Sequence, residues 1–350
     1  MLGILHSHKD LRGKTVVVTG ASSGIGRAAA FEFARRGASL VLAARRREAL
    51  EDVAEQCRNL GGSALVVVCD VTIEADTQNL AAEAMKGAGR IDVWVNNAGV
   101  TVFAPLEQAP FEAHRRVIEV NLFGAMLCAR AVAPIFRRQK QGVLINVGSI
   151  LSKIGQPFVP SYAISKFGLR GLSEVLRTEF ADLRNVHICT LFPYAVDTQH
   201  FESGANYVGR EARAMPPVQS PEVVARALVD LAETPTRERH VPRYAALGLA
   251  LHAVAPRFVE RLLQEVLRQW HFGLEPALPS AGNLYSGDDE PAETHGKRGP
   301  QLGFPMLAGW MVRRAKRFVE QPAVSGTHFD ADKRAEADRD RMAQARAAEL

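Results

Sequence analysis

The sequence predicts an α/β protein built on a doubly wound parallel sheet, followed by a helical C-terminal extension. Three observations carry this. Short apolar, β-branched runs alternate with helix-length segments from residue 14 to residue 242, the pattern of a parallel sheet with helices on both faces. A glycine-rich turn, T-G-A-S-S-G-I-G, follows the first such run directly and opens a helix. Beyond Arg243 the alternation stops and a different helical pattern begins.

Residues 14–18 form a β-branched run, and residues 27–36 carry Ala and Phe at helical spacing. Further strand-like runs fall at residues 39–43, 64–68, 93–95, 143–147 and 187–191, each separated from the next by enough chain for a helix. Ser220 and Pro221 supply an N-cap and a first-turn proline for another helix, and residues 240–242 read as a last short strand. The sheet-forming unit is therefore drawn at residues 9–243, a helical and Pro/Gly-rich extension at 244–329, and a charged tail at 330–350. The tail has almost no large apolar side chain and cannot bury enough surface to order itself alone. Within the extension, Phe258, Val259, Leu262, Leu263, Val266, Leu267 and Trp270 make one helical stripe that must be covered. The opposite face, with Arg257, Glu260, Arg261, Glu265 and Arg268, is mixed in sign. Docking on protein is thus favoured over an acidic bilayer, although the more basic stretch 306–318 suits a membrane surface better.

With 350 residues, of which 47% are hydrophobic, the chain can bury a full core. Its net charge of +5 permits anionic partners without naming one. Cys57, Cys69, Cys128 and Cys189 are scattered with no C-x-x-C pair, which points to a reducing compartment and no disulfides. The first residues are too short an apolar stretch for a signal peptide, so a cytoplasmic location is expected. His6 and His8 lack a completing carboxylate or thiol cluster, so no metal is expected.

Chemistry concentrates in four places. In the glycine-rich turn, Gly20 permits the tight bend, Gly24 lets backbone approach a pyrophosphate, and Gly26 allows close helix packing. Ser149 stands at the carboxyl end of a strand, the edge where open α/β sheets bind ligands. In S-Y-A-I-S-K, Tyr162 and Lys166 lie four residues apart and share a helix face, so the ammonium is expected to favour phenolate. Asn121 interrupts an apolar helical run at a cost in helix propensity. The last three have plainer alternatives: a turn serine, a solvated helix face, a kinked helix.

Taken together, T-G-x-x-x-G-x-G at Thr19 to Gly26, N-N-A-G at Asn96 to Gly99, Ser149 and Y-x-x-x-K resemble the short-chain dehydrogenase/reductase family over roughly residues 11–243. Ser149 stands thirteen positions before Tyr162, and Asn121 twenty-eight before Ser149, in keeping with that family's tetrad. The resemblance implies a Rossmann-type fold and a homo-oligomer, with no nucleic-acid partner. It implies that Tyr162 transfers a proton, Ser149 donates to a substrate carbonyl oxygen, Lys166 binds the nicotinamide ribose and Asn121 holds a water linking the lysine to solvent. It also implies a cofactor site formed by Gly20, Ser22, Ser23, Gly24, Ile25, Gly26, Arg45, Asp70, Val71, Asn97, Ala98, Gly99, Tyr162, Lys166, Pro193, Val196 and Thr198. Asp70 would accept from the adenine amino group and Thr198 would meet the carboxamide.

Cofactor choice hangs on V-L-A-A-R-R, where Ala44 stands in the place of an acid that would bond a ribose 2′-OH and Arg45 follows. A guanidinium suits a 2′-phosphate, which favours NADP (as NADPH) over NAD. The expected activity is interconversion of a small-molecule carbonyl and an alcohol by hydride transfer. The alternatives are a non-catalytic NADP-sensing or scaffold protein and a membrane-peripheral reductase of lipid-like carbonyls. One departure is Tyr194 in P-Y-A-V-D-T, where the family commonly has glycine. There the sequence leaves open strain, a rerouted loop, or a ring entering the substrate pocket.

Overall fold

Seven of the apolar runs pair into one parallel sheet: β1 (Thr15–Thr19), β2 (Ser39–Ala44), β3 (Ser63–Val68), β4 (Val93–Asn96), β5 (Gly142–Val147), β6 (Val186–Pro193) and β7 (Glu238–Val241). The computed structural model describes residues 11–215, 217–286 and 292–297. The spatial order is β3-β2-β1-β4-β5-β6-β7, so the strand order reverses between β1 and β4. That reversal opens a crevice at the carboxyl ends of the strands. Inner strands such as β1 and β5 are rich in Val and Ile and buried on both faces, as parallel sheets require.

Helices cover the two faces. On one lie α1 (Gly24–Arg35) and α2 (Arg47–Asn59), with α7 (Pro221–Glu233) further along, packed on Val16, Leu40, Ile145 and Leu191. On the other lie α3 (Glu74–Ala88), α4 (Phe111–Ile118), α5 (Gly124–Gln139) and α6 (Pro160–Glu179), against Val17, Trp94, Leu144 and Ile188. A π-helical turn, Glu119–Phe123, joins α4 to α5. The resulting stretch Phe111–Gln139 is long and apolar enough to cross a bilayer, but here it packs on the sheet. Cys57, Cys69, Cys128 and Cys189 are all buried free thiols.

A polar chain runs through the middle of this apolar layer. Trp94 Nε1 donates to Asn96 Oδ1 (2.8 Å), Asn96 Nδ2 to Asn146 Oδ1 (2.9 Å), and Asn146 Nδ2 to Ser173 Oγ (2.8 Å). Asn96 and Asn146 are register partners on β4 and β5, and Ser173 reaches them from α6. Every amide in the chain is paired, which removes the 1 to 3 kcal/mol or so that an unpaired buried polar group costs.

The sheet ends at Val241, two residues before Arg243. The described residues beyond it belong to the same compact unit as the sheet. They form α8 (Ala245–Val254), α9 (Pro256–Trp270) and a strand, Phe272–Pro276, antiparallel to Arg210–Ala212. On α9, Val259, Val266 and Leu267 are buried as the stripe predicts, whereas Phe258 is 46% exposed. Leu247 and Val254 of α8 are exposed too. His6, His8, the stretch 306–318 and the tail 330–350 lie outside the described residues.

Phe272 anchors the extension. It is buried and meets the Phe158 ring edge-on at 5.0 Å. Truncating it, Phe272→Ala, should cost about 3 to 5 kcal/mol. Urea denaturation followed by circular dichroism checks this, and an unchanged midpoint would show that the extension strand adds nothing to stability.

Candidate active site

The glycine-rich loop folds as it does because side chains have no room in it. Gly20 has φ of 64° and Gly24 of 52°, left-handed values that glycine adopts freely. A Cβ on Gly20 would lie 2.8 Å from the Ala98 Cα, and one on Gly26 would overlap the Gly20 carbonyl. The loop is tied across the crevice to N-N-A-G. Thr19 Oγ1 donates to the Val95 carbonyl (3.2 Å) and accepts from the Asn97 and Ala98 amides (3.0 and 3.2 Å). Asn97 Nδ2 donates to the carbonyls of Thr19 and Gly20 (3.0 and 3.2 Å). The outcome is a rigid cradle at the N-terminus of α1, the end of a helix that favours anions. Ser22, Ser23 and Ile25 line it, and Gly26 sits behind as packing.

The four residues of the expected tetrad meet at the same edge. Ser149 stands two residues past β5, where its Oγ accepts from the Leu151 amide (3.2 Å) and faces the Tyr162 phenol. The turn-cap alternative is thus also true, and the two roles coexist. Tyr162 stands in the first turn of α6, begun by Pro160, and Lys166 one turn later. Lys166 Nζ donates to the Val147 carbonyl (2.8 Å) and lies 5.5 Å from the centre of the Tyr162 ring. Asn121 occupies the π-turn, a geometry common at functional sites. Its Oδ1 accepts from the Val100 amide (2.8 Å), and its Nδ2 donates to the Val100 carbonyl (2.9 Å) and Ser165 Oγ (3.1 Å).

Electrostatics corrects one expectation. Burial pushes the Tyr162 phenol up to about 12, and the hydrogen bond from Ser149 only partly offsets this. Burial likewise pulls Lys166 down to about 8. In this protein alone, desolvation outweighs the attraction between the two groups, so the phenol is a protonated donor.

At the far end of the cleft, Asp70 and Val71 follow β3. Asp70 Oδ1 accepts from the Thr72 amide and hydroxyl (2.9 and 2.7 Å), and its Oδ2 from Arg116 (2.9 Å). Those bonds hold its carboxyl below the usual range, even though burial opposes them. Arg116 went unrecognised in the sequence because R-R in an amphipathic helix looks solvated. Arg45 also lines the cleft, where it donates to the Asn283 and Leu284 carbonyls. Pro193, Val196 and Thr198 complete the wall after β6, with the Thr198 side chain close over Gly24.

The substrate side is aromatic. Phe103, Phe201 and Val159 line it with the imidazoles of His200 and His271. His200 lies 5.4 Å from the Tyr162 ring, ring centre to ring centre, and burial and Lys166 pull its pKa down to about 4. His271 arrives from the extension, is likewise pulled to about 4 by burial, and faces Gln156 at 3.5 Å. Both are neutral near pH 7. Neither carried a sequence signal, since each is an isolated histidine. Tyr194 resolves the open choice of strain, rerouting or pocket entry: its φ is not left-handed, its amide donates to the Val241 carbonyl (2.8 Å), and it lines the cleft. The backbone carries Tyr194 without strain, and the residue borders the cleft.

An anion cradle, a serine–tyrosine–lysine set and an asparagine in a π-turn stand together on a doubly wound sheet. Residues 14–206 match the short chain dehydrogenase family model. The chain belongs to the short-chain dehydrogenase/reductase family. It is 32% identical over 320 residues to the "uncharacterized oxidoreductase YxnA" of Bacillus subtilis, covering 90% of this chain and 89% of that one. It is 36% identical to 3beta-hydroxysteroid dehydrogenase 1 of Eggerthella lenta, over 64% of this chain and 88% of the relative. A solved alcohol dehydrogenase from Thermococcus sibiricus, complexed with 5-hydroxy-NADP, superposes with a TM-score of 0.57 at 29% identity, over 65% of this chain and 94% of that one.

The depressed Lys166 pKa has two consequences of known sign. An unfolded lysine keeps its ordinary value of 10.5, so between about 8 and 10.5 the unfolded chain binds more protons and stability from this group rises with pH. Function runs the other way: the ammonium is complete below pH 8 and lost above it. Turnover that uses the Lys166 ammonium, measured as kcat/KM, should therefore fall as pH rises through about 8. A profile flat to pH 10 would detach Lys166 from the reaction.

Proposed function

We propose that the chain is an NADP(H)-dependent carbonyl reductase or alcohol dehydrogenase acting on bulky apolar carbonyl compounds. The observation that carries this reading is the convergence of Ser149, Tyr162 and Lys166 on the cleft that the glycine-rich loop opens, with Asn121 buried behind them on Val100 and Ser165. A cradle in which added Cβ atoms would collide, at the start of α1, fits a dinucleotide pyrophosphate. Gly20, Ser22, Ser23, Gly24 and Ile25 would hold it, Arg45 the 2′-phosphate, and Asp70 and Val71 the adenine. Asn97, Ala98 and Gly99 would line the middle of the cofactor, and Pro193, Val196 and Thr198 its nicotinamide end. When bound, the nicotinamide supplies or accepts the hydride.

The chain's own residues do the rest. In reduction, Ser149 donates a hydrogen bond to the substrate oxygen and Tyr162 gives it a proton from its phenol. Lys166, fixed on the Val147 carbonyl, steadies the phenolate left behind. Asn121, locked on Val100, holds the relay toward solvent from which the proton returns. The aromatic walls exclude water and select apolar substrates. Several relatives carry hydroxysteroid dehydrogenase names, including the Eggerthella protein and an 11-beta enzyme of Sesamum indicum. Steroid ketones therefore belong in the first substrate panel with aromatic ketones and fatty aldehydes. Buried free thiols support a reducing, cytoplasmic setting. The exposed apolar side chains of Phe123, Met126 and Phe167 on the α5–α6 face support a homo-oligomer.

Tyr162→Phe keeps the ring and removes the proton. NADPH binding, read by fluorescence, should be nearly unchanged while turnover falls by roughly 10² to 10⁴. Activity within a few-fold of wild type would refute the mechanism and favour a cofactor-sensing role. Arg45→Asp should weaken NADPH binding and bring NADH toward parity. Equal preference before and after the change would return Arg45 to a structural role.

A further inference from the structure

Backbone carbonyls of the extension bond to groups that face the cofactor cleft. Near its adenine end, Arg45 donates to Asn283 O (2.9 Å) and Leu284 O (3.4 Å), and Arg116 Nε to Leu284 O (3.0 Å). At the pyrophosphate end, the Gly24 amide donates to Glu293 O (2.9 Å) and Arg27 to Ala292 O (2.9 Å). The Glu293 amide donates in turn to Gln199 Oε1 (2.9 Å), and the Lys297 amide to Glu202 Oε1 (3.3 Å). His295 pairs with Glu222 at 2.9 Å.

These are built contacts. The Leu284 side chain is fully buried in the core layer beneath α3 to α6. Gly282 has φ of 48°, and a Cβ there would lie 2.7 Å from the Ala205 amide nitrogen. One on Gly296 would lie 2.9 Å from both Asp197 Oδ1 and the Thr198 carbonyl. The two segments border the cleft, and the second reaches into the cradle to take the Gly24 amide. A cavity of about 290 Å³ remains, lined by Asn283 together with Gly20, Asp70, Thr198 and Tyr162. The extension also travels with the domain: a 320-residue match to the Bacillus subtilis relative cannot fit within residues 1–243.

We propose that residues 281–286 and 292–297 are part of the cofactor site. They form its outer wall, so that a dinucleotide held there exchanges only when they lift away. This rests on the dinucleotide reading given above. The acceptors this wall offers to Gly24, Arg27, Arg45 and Arg116 are all backbone carbonyls. A guanidinium has five donors and can bond a wall carbonyl and a phosphate together.

Two variants of the full chain test it. Gly296→Val wedges the second segment away from Asp197 and Thr198, and Gly282→Val, which also forbids the left-handed φ, loosens the first. Pre-bound NADPH is chased with excess NADP⁺ and its release followed by fluorescence. Hydrogen exchange of peptides spanning 281–286 and 292–297 is measured with and without NADPH. Both peptides should gain protection with NADPH, and release should quicken roughly ten-fold in the variants, the factor for losing one or two hydrogen bonds of the closed state. Gly296→Val lies outside the sheet and keeps the test alive if Gly282→Val fails to fold. Peptides that lose protection with NADPH would make the segments a plug that the cofactor expels, and unchanged release in Gly296→Val would leave them as surface packing. Either result overturns the wall. A wild-type chain that binds neither NADPH nor NADH removes the cofactor reading itself and the wall with it, an outcome distinct from binding with unaltered release.

Discussion

The site depends on one reciprocal clasp, between Thr19 at the end of β1 and Asn97 just past β4. The two strands are adjacent, but their outgoing loops have no backbone ladder to hold them together. The threonine hydroxyl accepts two amides and donates to the Val95 carbonyl, and the asparagine amide returns two bonds to the first loop. All are at least partly buried, where water competes poorly and geometry is kept. With the clasp in place, the glycine cradle has a fixed distance to Gly99 and, through Val100, to Asn121. The Asn121 amide then reaches Ser165 on α6, the helix that carries Tyr162 and Lys166. One short relay of side chains thus connects the anion cradle to the proton donor.

The price of that placement is burial of two ionisable groups. Tyr162 and Lys166 are both pushed toward their neutral forms by desolvation. A hydrogen bond to the Val147 carbonyl is the compensation that keeps the ammonium tolerable so near the sheet edge. His200, neutral beside them, adds no charge to a region already short of water. The substrate side is consequently apolar with isolated polar points, which suits a hydrophobic ligand oriented by one oxygen.

Much of this was legible in the sequence because it is local. The glycine spacing, the Y-x-x-x-K pair and the serine at a strand end each declare themselves within a few residues, and the strands were placed within one or two residues of their observed ends. Asn121 declared itself by standing in an apolar helix. What escaped was long-range or a balance of forces. Arg116 meets Leu284 across 168 positions, and Arg45 meets Asn283 across 238. No periodicity reports such pairs. His271 reaches the pocket only because Phe272–Pro276 pairs with Arg210–Ala212. The phenol's direction of shift could not be read either, because i to i+4 spacing reveals the neighbouring charge and not the depth of burial.

The amide chain through Trp94, Asn96, Asn146 and Ser173 bears on how the chain finds this arrangement at all. Val, Ile and Leu side chains in β4 and β5 are nearly interchangeable, so an apolar sheet interior tolerates displaced pairings almost as well as the right one. Asn96 and Asn146 do not. A slip of one residue between the strands separates their amides and leaves the buried Asn146 Oδ1 without the donor it has here. Such a mismatch penalises misaligned compact states more than it rewards the aligned one. In that sense the two asparagines act as an alignment key for the central strands, rejecting near-native sheets in which Asn97 and Ser149 would end at different heights.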